Sequence, residues 1–340
     1  MRVGSPAVAA ALAMTLFAWG LSYVWTKIVL AEMGPFTLVC IRFTVATGLF
    51  VLAFVLTGHR PRRLSLADHG RMFALALLQP VGHFAFETCG LRLTSATAAA
   101  LIVAVIPLAV MGLATASGRE RLGTGNLVRI FLSMLGVAAI LAGPEVGRST
   151  GELAGGLLML GAVASTAGYV VLGGGLTRRL DALTVTFLQL AWGAVLFLPA
   201  GIWEITRHGW PELSLRGAGA LAALTVLASF AAFICYNFVL GKMSPTRAAL
   251  WLNAVPVVTA AAAWGMLDER LCPGQAVGGL LVLIAAAAPP VFRPGQGSHE
   301  NAALPQTPVR LAALRTPGGR RNKASGDRSV SRQRQSRPPR

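Results

Sequence analysis

Three polar side chains follow one another at helical spacing in an otherwise apolar stretch of the sequence. Gln79, His83 and Glu87 are separated by four residues each. At 1.5 Å and 100° per residue they form one stripe about 12 Å long on a single helix face. A carboxylate beside an imidazole can handle protons, or it can balance the charge of a bound cationic or zwitterionic molecule. All three are therefore candidate binding residues, and the alternative is that Glu87 lies at an interface or is neutralised by His83.

A second set with the same spacing lies near the N-terminus. Trp19, Tyr23 and Lys27 put two aromatic rings and one positive charge on one face of a helix. Aromatic side chains offer a large contact area together with a polar tip, so Trp19 and Tyr23 are candidate walls of a binding pocket. The alternative is an aromatic belt at a membrane interface, which suits Trp25 and Lys27 better than Trp19.

A third group surrounds a proline in the second half of the chain. Asn253 precedes Pro256 by one turn, and Trp251 is nearby. Because proline leaves a carbonyl group free one turn earlier, Asn253 could bond that carbonyl or reach a ligand. Trp251 and Asn253 are candidate binding residues, while Pro107 and Pro256 are candidate hinges of broken helices.

Arg42 is a fourth candidate with several interpretations. It lies about six residues into an apolar run. Its long side chain can snorkel to an interface. Alternatively, it pairs with Glu87 or binds a carboxylate of a ligand.

The composition decides which solvent surrounds these residues. Hydrophobic residues make up 54% of the 340 residues and charged residues only 13%, whereas soluble domains have about 25% charged residues. A chain with so few charges cannot cover a soluble globule of this size, so the sequence predicts an all-α integral membrane protein. A span needs about 20 apolar residues. We predict ten transmembrane helices, at 7–29, 36–57, 72–90, 95–117, 126–143, 153–173, 183–204, 217–241, 246–267 and 274–292.

The distribution of basic residues predicts the orientation. With the N-terminus in the cytoplasm, eleven Lys or Arg residues flank the spans on the cytoplasmic side and six on the other side. Both termini are then cytoplasmic. The tail 293–340 has eleven basic residues against two acids and little apolar surface, which predicts disorder. Attraction to anionic lipid headgroups explains this charge better than binding of nucleic acid.

An internal repeat organises the spans. Adding 149 to the residue numbers aligns Ser95 to Leu132 with the second half of the chain without a gap. Because each copy has five helices, an odd number, the second copy must enter the membrane from the opposite side. The predicted copies are residues 7–143 and 153–292. The most informative matches are Ser95 with Ser244, Pro107 with Pro256, Glu120-Arg121-Leu122 with Glu269-Arg270-Leu271, and Gly125 with Gly274.

These motifs resemble a known family over residues 7–292. The motifs are Ala18-Trp19-Gly20 with Lys27, Ile41-Arg42-Phe43, Leu91 to Ala96, and the two proline and Glu-Arg-Leu elements of the repeat. Together they resemble the drug/metabolite transporter superfamily, specifically its EamA-type ten-helix permeases. The resemblance implies export or exchange of small amino-acid-like or amphiphilic metabolites across the inner membrane.

The mechanism expected from these features is alternating access between the two halves, with Glu87 as the proton-coupling residue. The glutamates of the two Glu-Arg-Leu motifs are expected to cap or pair at helix ends. We find no nucleophile motif, no metal-ligand spacing among the four cysteines and no P-loop, so neither an enzyme nor a cofactor is expected. The expected partners are a small-molecule substrate, the bilayer and protons. The alternative is a polytopic receptor or scramblase-like protein that does not transport.

Overall fold

The apolar runs of the sequence fold as helices, which satisfy every backbone hydrogen bond within the segment. The structure is a computed structural model, and it describes residues 6–58, 64–118, 124–141, 150–177, 180–240, 242 and 251–287. Within these residues every regular element is helical. The α-helices are α1 (Pro6–Leu30), α2 (Pro35–Thr57), α3 (Leu66–Ala76), α4 (His83–Leu93), α5 (Ala96–Val103), α6 (Ile106–Ala116), α7 (Thr124–Leu141), α8 (Thr150–Thr177), α9 (Ala182–His208), α10 (Leu215–Ala223), α11 (Ala232–Leu240), α12 (Val255–Leu267) and α13 (Pro273–Ala287).

Short polar residues begin several of these helices. At the start of α5 the hydroxyl of Ser95 accepts a hydrogen bond from the backbone N–H of Ala98 at 3.1 Å. At the start of α9 the carboxylate of Asp181 accepts one from Thr184 at 2.9 Å. Such caps satisfy backbone N–H groups that have no partner in the first turn. Gly58 ends α2 with φ of 68°, a left-handed conformation that glycine adopts without a steric penalty.

Seven helical stretches of the described chain are long and apolar enough to cross a membrane, which supports an integral membrane protein. The stretch Leu66–Leu93 is not among them; it contains several charged residues and an interruption. Val255–Leu267 and Pro273–Ala286 are apolar but shorter. The prediction of ten spans is therefore not confirmed by this count. The seven are Pro6–Leu30, Pro35–Thr57, Ala96–Ala116, Thr124–Leu141, Gly151–Gly173, Leu183–His208 and Leu215–Val239.

The third predicted span is not a straight helix. A wider, π-helical turn at Leu77–Gly82 joins α3 to α4, and Gln79 within it has φ of −143° and ψ of 117°. Pro80 follows and cannot donate a backbone hydrogen bond. The prediction of one continuous stripe through Gln79, His83 and Glu87 is therefore wrong at its first residue. His83 and Glu87 remain one turn apart on α4.

Several helix boundaries recur 149 residues apart, as the internal repeat predicts. The helix α6 begins at Ile106 and α12 at Val255, while α7 begins at Thr124 and α13 at Pro273. Both α6 and α12 follow a turn, and each has its proline in the first turn of the new helix, where a missing N–H costs nothing. Pro107 is exposed and Pro256 is buried. The inverted orientation of the copies and a hinge role of the prolines stay predictions.

The helices pack in pairs, α2 along α9, α4 along α8 and α7 along α13. Glycine allows the closest approach. A Cβ atom built on Gly136 of α7 would lie 2.7 Å from the carbonyl oxygen of Gly278 on α13, and one on Gly155 of α8 would lie 2.9 Å from the backbone nitrogen of Thr94. Small residues at such crossings let membrane helices make backbone contact.

Several sequence predictions lie outside the described residues. These are the tail 293–340, the Glu120-Arg121-Leu122 motif and the segment with Ser244.

Candidate functional site

Polar side chains from five helical segments meet inside the apolar bundle. Four of them are titratable and all but inaccessible: Tyr23 is 7%, Arg42 5%, His83 7% and Glu87 8% exposed. Two hydroxyl residues contact them. We name this set, Tyr23, Arg42, His83, Glu87, Thr166 and Ser229, the central polar cluster. Ionisable groups are costly in a membrane interior, where they mark substrate and proton pathways.

Arg42 is held inside the bundle and does not reach an interface. Its Nε donates a hydrogen bond of 2.6 Å to the hydroxyl of Ser229, which is completely buried. The guanidinium carbon lies 5.0 Å from the centroid of the Phe84 ring and 5.8 Å from that of Phe43. Both rings can stabilise the positive charge through cation–π interaction. The interpretation of Arg42 as a snorkelling anchor is therefore wrong.

His83 is oriented by α8. Its Nδ1 lies 2.8 Å from the hydroxyl of Thr166 and 3.2 Å from the carbonyl oxygen of Ala162. Because a carbonyl only accepts hydrogen bonds, the second contact favours a proton on Nδ1. Nε2 then faces the Glu87 carboxylate at 3.7 Å. When the proton of a neutral imidazole is on Nδ1, Nε2 presents a lone pair to the carboxylate. One further proton between Nε2 and the Glu87 oxygen makes this contact attractive, because it provides a hydrogen-bond donor.

Three helices bring opposite charges together at the cluster. Tyr23 from α1, Arg42 from α2 and Glu87 from α4 lie close enough to interact electrostatically. A buried cation needs a partner to offset the loss of hydration. Glu87 is the carboxylate that acts on Arg42 in this way. Its burial and this interaction contradict the alternative of an interfacial Glu87.

The aromatic face of α1 also points inward. The indole N–H of Trp19 donates to the carbonyl oxygen of Ala228 at 3.2 Å. That carbonyl belongs to a second π-helical turn, Leu224–Ala231, which joins α10 to α11. The Trp19 ring lies 5.3 Å from that of Phe233 and 5.1 Å from that of Tyr236. Trp19 thus packs against the second half of the chain, and Tyr23 is buried inside the bundle, whereas the role of both residues as a pocket wall stays a prediction.

The remaining predicted site residues lie apart from the cluster. Gln79 is half-buried in the π-helical turn before α4. Trp251 is 45% exposed, and Asn253 is half-buried in the turn before α12. In the described part of the chain, no hydrogen bond connects these three residues to the cluster, so their role in binding stays a prediction.

Two members of the cluster were missed by sequence reasoning. Ser229 occupies the position of Pro80 under the 149-residue shift, so the repeat pointed to the site of the bend but not to the hydroxyl. Thr166 follows no motif. Its contact with His83 arises only because α8 packs along α4.

Glutamates cap helices at one end of the bundle. We call this the Glu32 end, formed by residues 31–34, 94–95, 209–214 and 268–272. Glu204 at the end of α9 accepts hydrogen bonds from the N–H and the hydroxyl of Thr37 on α2, both 2.7 Å long. Glu32 accepts from the N–H of Ser214 at 2.8 Å and from its hydroxyl at 2.6 Å. A carboxylate at a helix N-terminus is also favoured by the helix dipole.

Glu269 forms a third cap at this end. Its carboxylate accepts from the backbone N–H groups of Ala96 at 2.9 Å and of Thr97 at 3.2 Å at the start of α5. The prediction that this glutamate caps a helix end is confirmed. Lys27 adds a further link, because its ammonium donates to the carbonyl oxygens of Leu91 and Thr94 at the end of α4. The Glu32 end is therefore closed by hydrogen bonds between helices that are distant in sequence.

The sequence matches a known class of membrane protein. Residues 6–142 and 153–288 each match the model of the EamA-like transporter family. A transporter of Archaeoglobus fulgidus is 26% identical over 276 residues, which cover 80% of this chain and 95% of the relative. YcxC, a transporter of Bacillus subtilis, is 28% identical over 82% of this chain and 91% of its own length. YedA, an inner membrane transporter of Escherichia coli, is 26% identical over 74% and 80%.

A solved crystal structure has the same fold. It superposes with a TM-score of 0.58 at 18% identity, covering 82% of this chain and 95% of the other. The chain belongs to the EamA-like transporter family, and it is a membrane transporter. Each named relative is described as an uncharacterized transporter, so its name gives no substrate.

Proposed function

We propose that this protein is a secondary transporter that carries small amino-acid-like or amphiphilic metabolites across the inner membrane by alternating access. The observation that supports this is the central polar cluster, in which a buried arginine lies beside a histidine–glutamate pair within an apolar bundle. Such groups are retained in membrane interiors where a substrate or a proton passes. Because the sequence has no motif that pairs a nucleophile with a base, we propose a carrier and not an enzyme.

Substrate recognition follows from the charges of the cluster. Arg42 presents a planar guanidinium whose remaining N–H groups can bind a carboxylate in a bidentate manner. Glu87 offers a negative charge to an amino group of the same molecule. Phe84 and Tyr23 border these charges and suit an apolar side chain of the substrate. This arrangement supports a zwitterionic or amphiphilic substrate.

Proton coupling is assigned to the His83–Glu87 pair. Thr166 and the carbonyl of Ala162 hold the imidazole so that Nε2 faces Glu87. One proton shared between Nε2 and the carboxylate changes the charge that Arg42 experiences. A proton on this pair offsets the negative charge that Glu87 offers to the amino group of the substrate, so proton and substrate compete for Glu87. Export against proton entry follows if the proton binds from the outside and the substrate from the inside.

Alternating access requires places where helices can bend. The π-helical turns at 77–82 and 224–231 and the turns before Pro107 and Pro256 are candidate pivots. The positive-inside distribution assigns the Glu32 end to the outside and both termini to the cytoplasm. On this assignment the conformation described here is closed to the outside.

The test is uptake into proteoliposomes across a panel of labelled metabolites, with and without an imposed pH gradient, comparing wild type with Glu87→Gln. Uptake that follows the gradient in wild type and loses this dependence in the variant supports the assignment. Because Gln keeps the volume of the Glu side chain, a packing defect is not expected, and thermal unfolding checks the fold.

Counterflow separates a carrier from the alternative functions. A carrier exchanges labelled substrate against unlabelled substrate inside the vesicle, whereas a receptor does not. A scramblase-like protein would instead move fluorescent lipid between leaflets. If the panel gives no counterflow and lipid moves, the proposal is wrong.

A further inference from the structure

A cavity separate from the central polar cluster opens at the Glu32 end. It has a volume of about 360 Å³, which corresponds to about 12 water molecules at roughly 30 Å³ each. That is within the range of cavities that bind small metabolites. We call it the basic vestibule. Its lining combines the end of α1, the end of α4, the start of α10 and the end of α12: Lys27, Ile28, Leu30, Ala31, Glu32, Leu91, Arg92, Arg216 and Leu267.

The charge of the vestibule is predominantly positive. Lys27, Arg92 and Arg216 reach it from three different helices, and Glu32 is the one carboxylate that lines it among the described residues. Both oxygens of Glu32 are already engaged, since they accept the two hydrogen bonds from Ser214. The Glu32 carboxylate is therefore directed toward the start of α10, and its single negative charge only partly offsets the positive charge of the three cations.

Two further carboxylates act on the vestibule from outside its lining. Glu152 and Glu269 interact electrostatically with Lys27. The Glu269 carboxylate accepts hydrogen bonds from backbone N–H groups at the start of α5, so part of its negative charge is already balanced there. Glu152 lies at the start of α8. These acids offset part of the charge of Lys27, whereas Arg92 and Arg216 are both exposed and can meet an anion from solution.

The basic side chains keep donors for a ligand. Two N–H groups of Lys27 are directed to Leu91 and Thr94, and an ammonium has three. Arg216 donates from one terminal nitrogen to the carbonyl oxygen of Met266 at 2.6 Å, and a guanidinium has five N–H groups. Ile28 and Leu91 supply an apolar wall beside these donors.

We propose that the basic vestibule is a second binding site, for the carboxylate or phosphate group of a small organic anion. Its apolar wall fits the organic part, and the cations fit the anionic group. The anion can come from solution or from the headgroup of an anionic lipid, because both present the same chemistry. The site does not depend on the central polar cluster or on transport.

The test measures binding of radiolabelled benzoate to the full-length protein in nanodiscs of phosphatidylcholine alone. The variants are Arg92→Gln and Arg216→Gln, each of which removes one charge from an exposed position. The matched control is Arg207→Gln, which removes an exposed charge near the same end but outside the vestibule. Arg42→Gln separates binding at the central polar cluster from binding at the vestibule.

We expect each of the two vestibule variants to weaken benzoate binding about tenfold, as for loss of one charge-assisted hydrogen bond. Raising the salt concentration weakens it further. Arg207→Gln leaves it unchanged, and in an Arg42→Gln background the two vestibule substitutions still weaken the binding that remains. Nanodiscs with added phosphatidylglycerol identify the source: loss of benzoate binding there assigns the site to a lipid headgroup, and unchanged binding assigns it to a soluble anion.

The proposal is overturned if wild type binds no benzoate and phosphatidylglycerol does not bind in its place. It is equally overturned if Arg42→Gln abolishes binding while both vestibule variants bind like wild type. A failure of the transport assay with Glu87→Gln leaves this result untouched, so the two proposals are tested separately.

Discussion

Replacing Glu204 by glutamine should loosen the closed end of the bundle. The Glu204 carboxylate is 7% exposed and accepts two hydrogen bonds of 2.7 Å from Thr37, which joins α9 to the first turn of α2. The amide oxygen of glutamine can still accept both bonds, but it has no charge. The substitution thus removes the electrostatic part of the cap and preserves its shape.

The magnitude follows from the two bonds. A hydrogen bond to a charged group contributes about 1.5–3 kcal/mol and a neutral one about 0.5–1.5 kcal/mol, so the pair loses about 2 kcal/mol in Glu204→Gln. If the open state lacks this cap, a loss of about 2 kcal/mol raises its population about thirtyfold. Loss of the favourable charge at the α2 dipole acts in the same direction.

A native cysteine reports the opening. Cys40 lies one turn after Thr37 on α2, and it packs against Gly201, one turn before Glu204 on α9. In a variant that keeps Cys40 as its single cysteine, a membrane-impermeant thiol reagent added from the predicted external side should modify it about thirtyfold faster after Glu204→Gln. Because opening precedes modification, the rate ratio reports the ratio of open populations.

The matched control makes the same chemical change without touching the cap. Glu212 is exposed in the loop between α9 and α10, so Glu212→Gln should leave the rate at the wild-type value. Equal rates for the Glu204→Gln and Glu212→Gln proteins would refute the reasoning. That result would mean that the cap does not distinguish the closed from the open state.

Two further substitutions test the packing and the site. Gly136→Ala brings a Cβ atom to 2.7 Å from the carbonyl oxygen of Gly278 and should lower the free energy of unfolding by about 1–3 kcal/mol. Thermal unfolding measures this loss, and Gly48→Ala is the control because the space around Gly48 is open. Arg42→Lys keeps the charge but loses the planar guanidinium and its bond to Ser229, so the transport rate should fall at least tenfold, and thermal unfolding measures the accompanying loss of stability. An unaltered rate would show that charge alone is required.

Much of the helical framework could be predicted from the sequence. The predicted span 7–29 corresponds to Pro6–Leu30, 36–57 to Pro35–Thr57 and 183–204 to Ala182–His208. These boundaries follow from the length of apolar runs and from Gly, Pro and Asp at their ends, which act locally. The starts of α6 and α12 were predictable for the same reason, since proline favours the first turn of a helix.

The bends were harder to predict. Pro80 gave a signal for the first π-helical turn, because a proline inside a helical pattern interrupts it at the preceding residue. The second turn, Leu224–Ala231, contains no proline and no other local signal. It is stabilised in part by a partner from α1, as Trp19 donates to the carbonyl oxygen of Ala228. A bend of this kind depends on tertiary packing and cannot be derived from its own residues.

The positions of the titratable side chains inside the bundle also depend on tertiary packing. Spacing predicted that His83 and Glu87 share a face, but not which helix that face meets. Arg42 was equally compatible with an interface or with the interior, because an isolated helix does not show where its neighbours lie. The contact with Ser229 resolves this, and it comes from the other half of the chain.

The two halves therefore contribute differently to the central polar cluster. The first half supplies the titratable side chains of Arg42, His83 and Glu87, and the second half supplies the hydroxyl groups of Thr166 and Ser229 that orient two of them. On the alternating-access mechanism proposed above, a movement of one half against the other would break both hydroxyl contacts together and leave the three titratable groups on one body. Arg42 and His83 would then lose their hydroxyl partners when the site changes sides. A substrate would bind in place of these hydroxyl groups, which would couple the occupancy of the site to the movement of the halves.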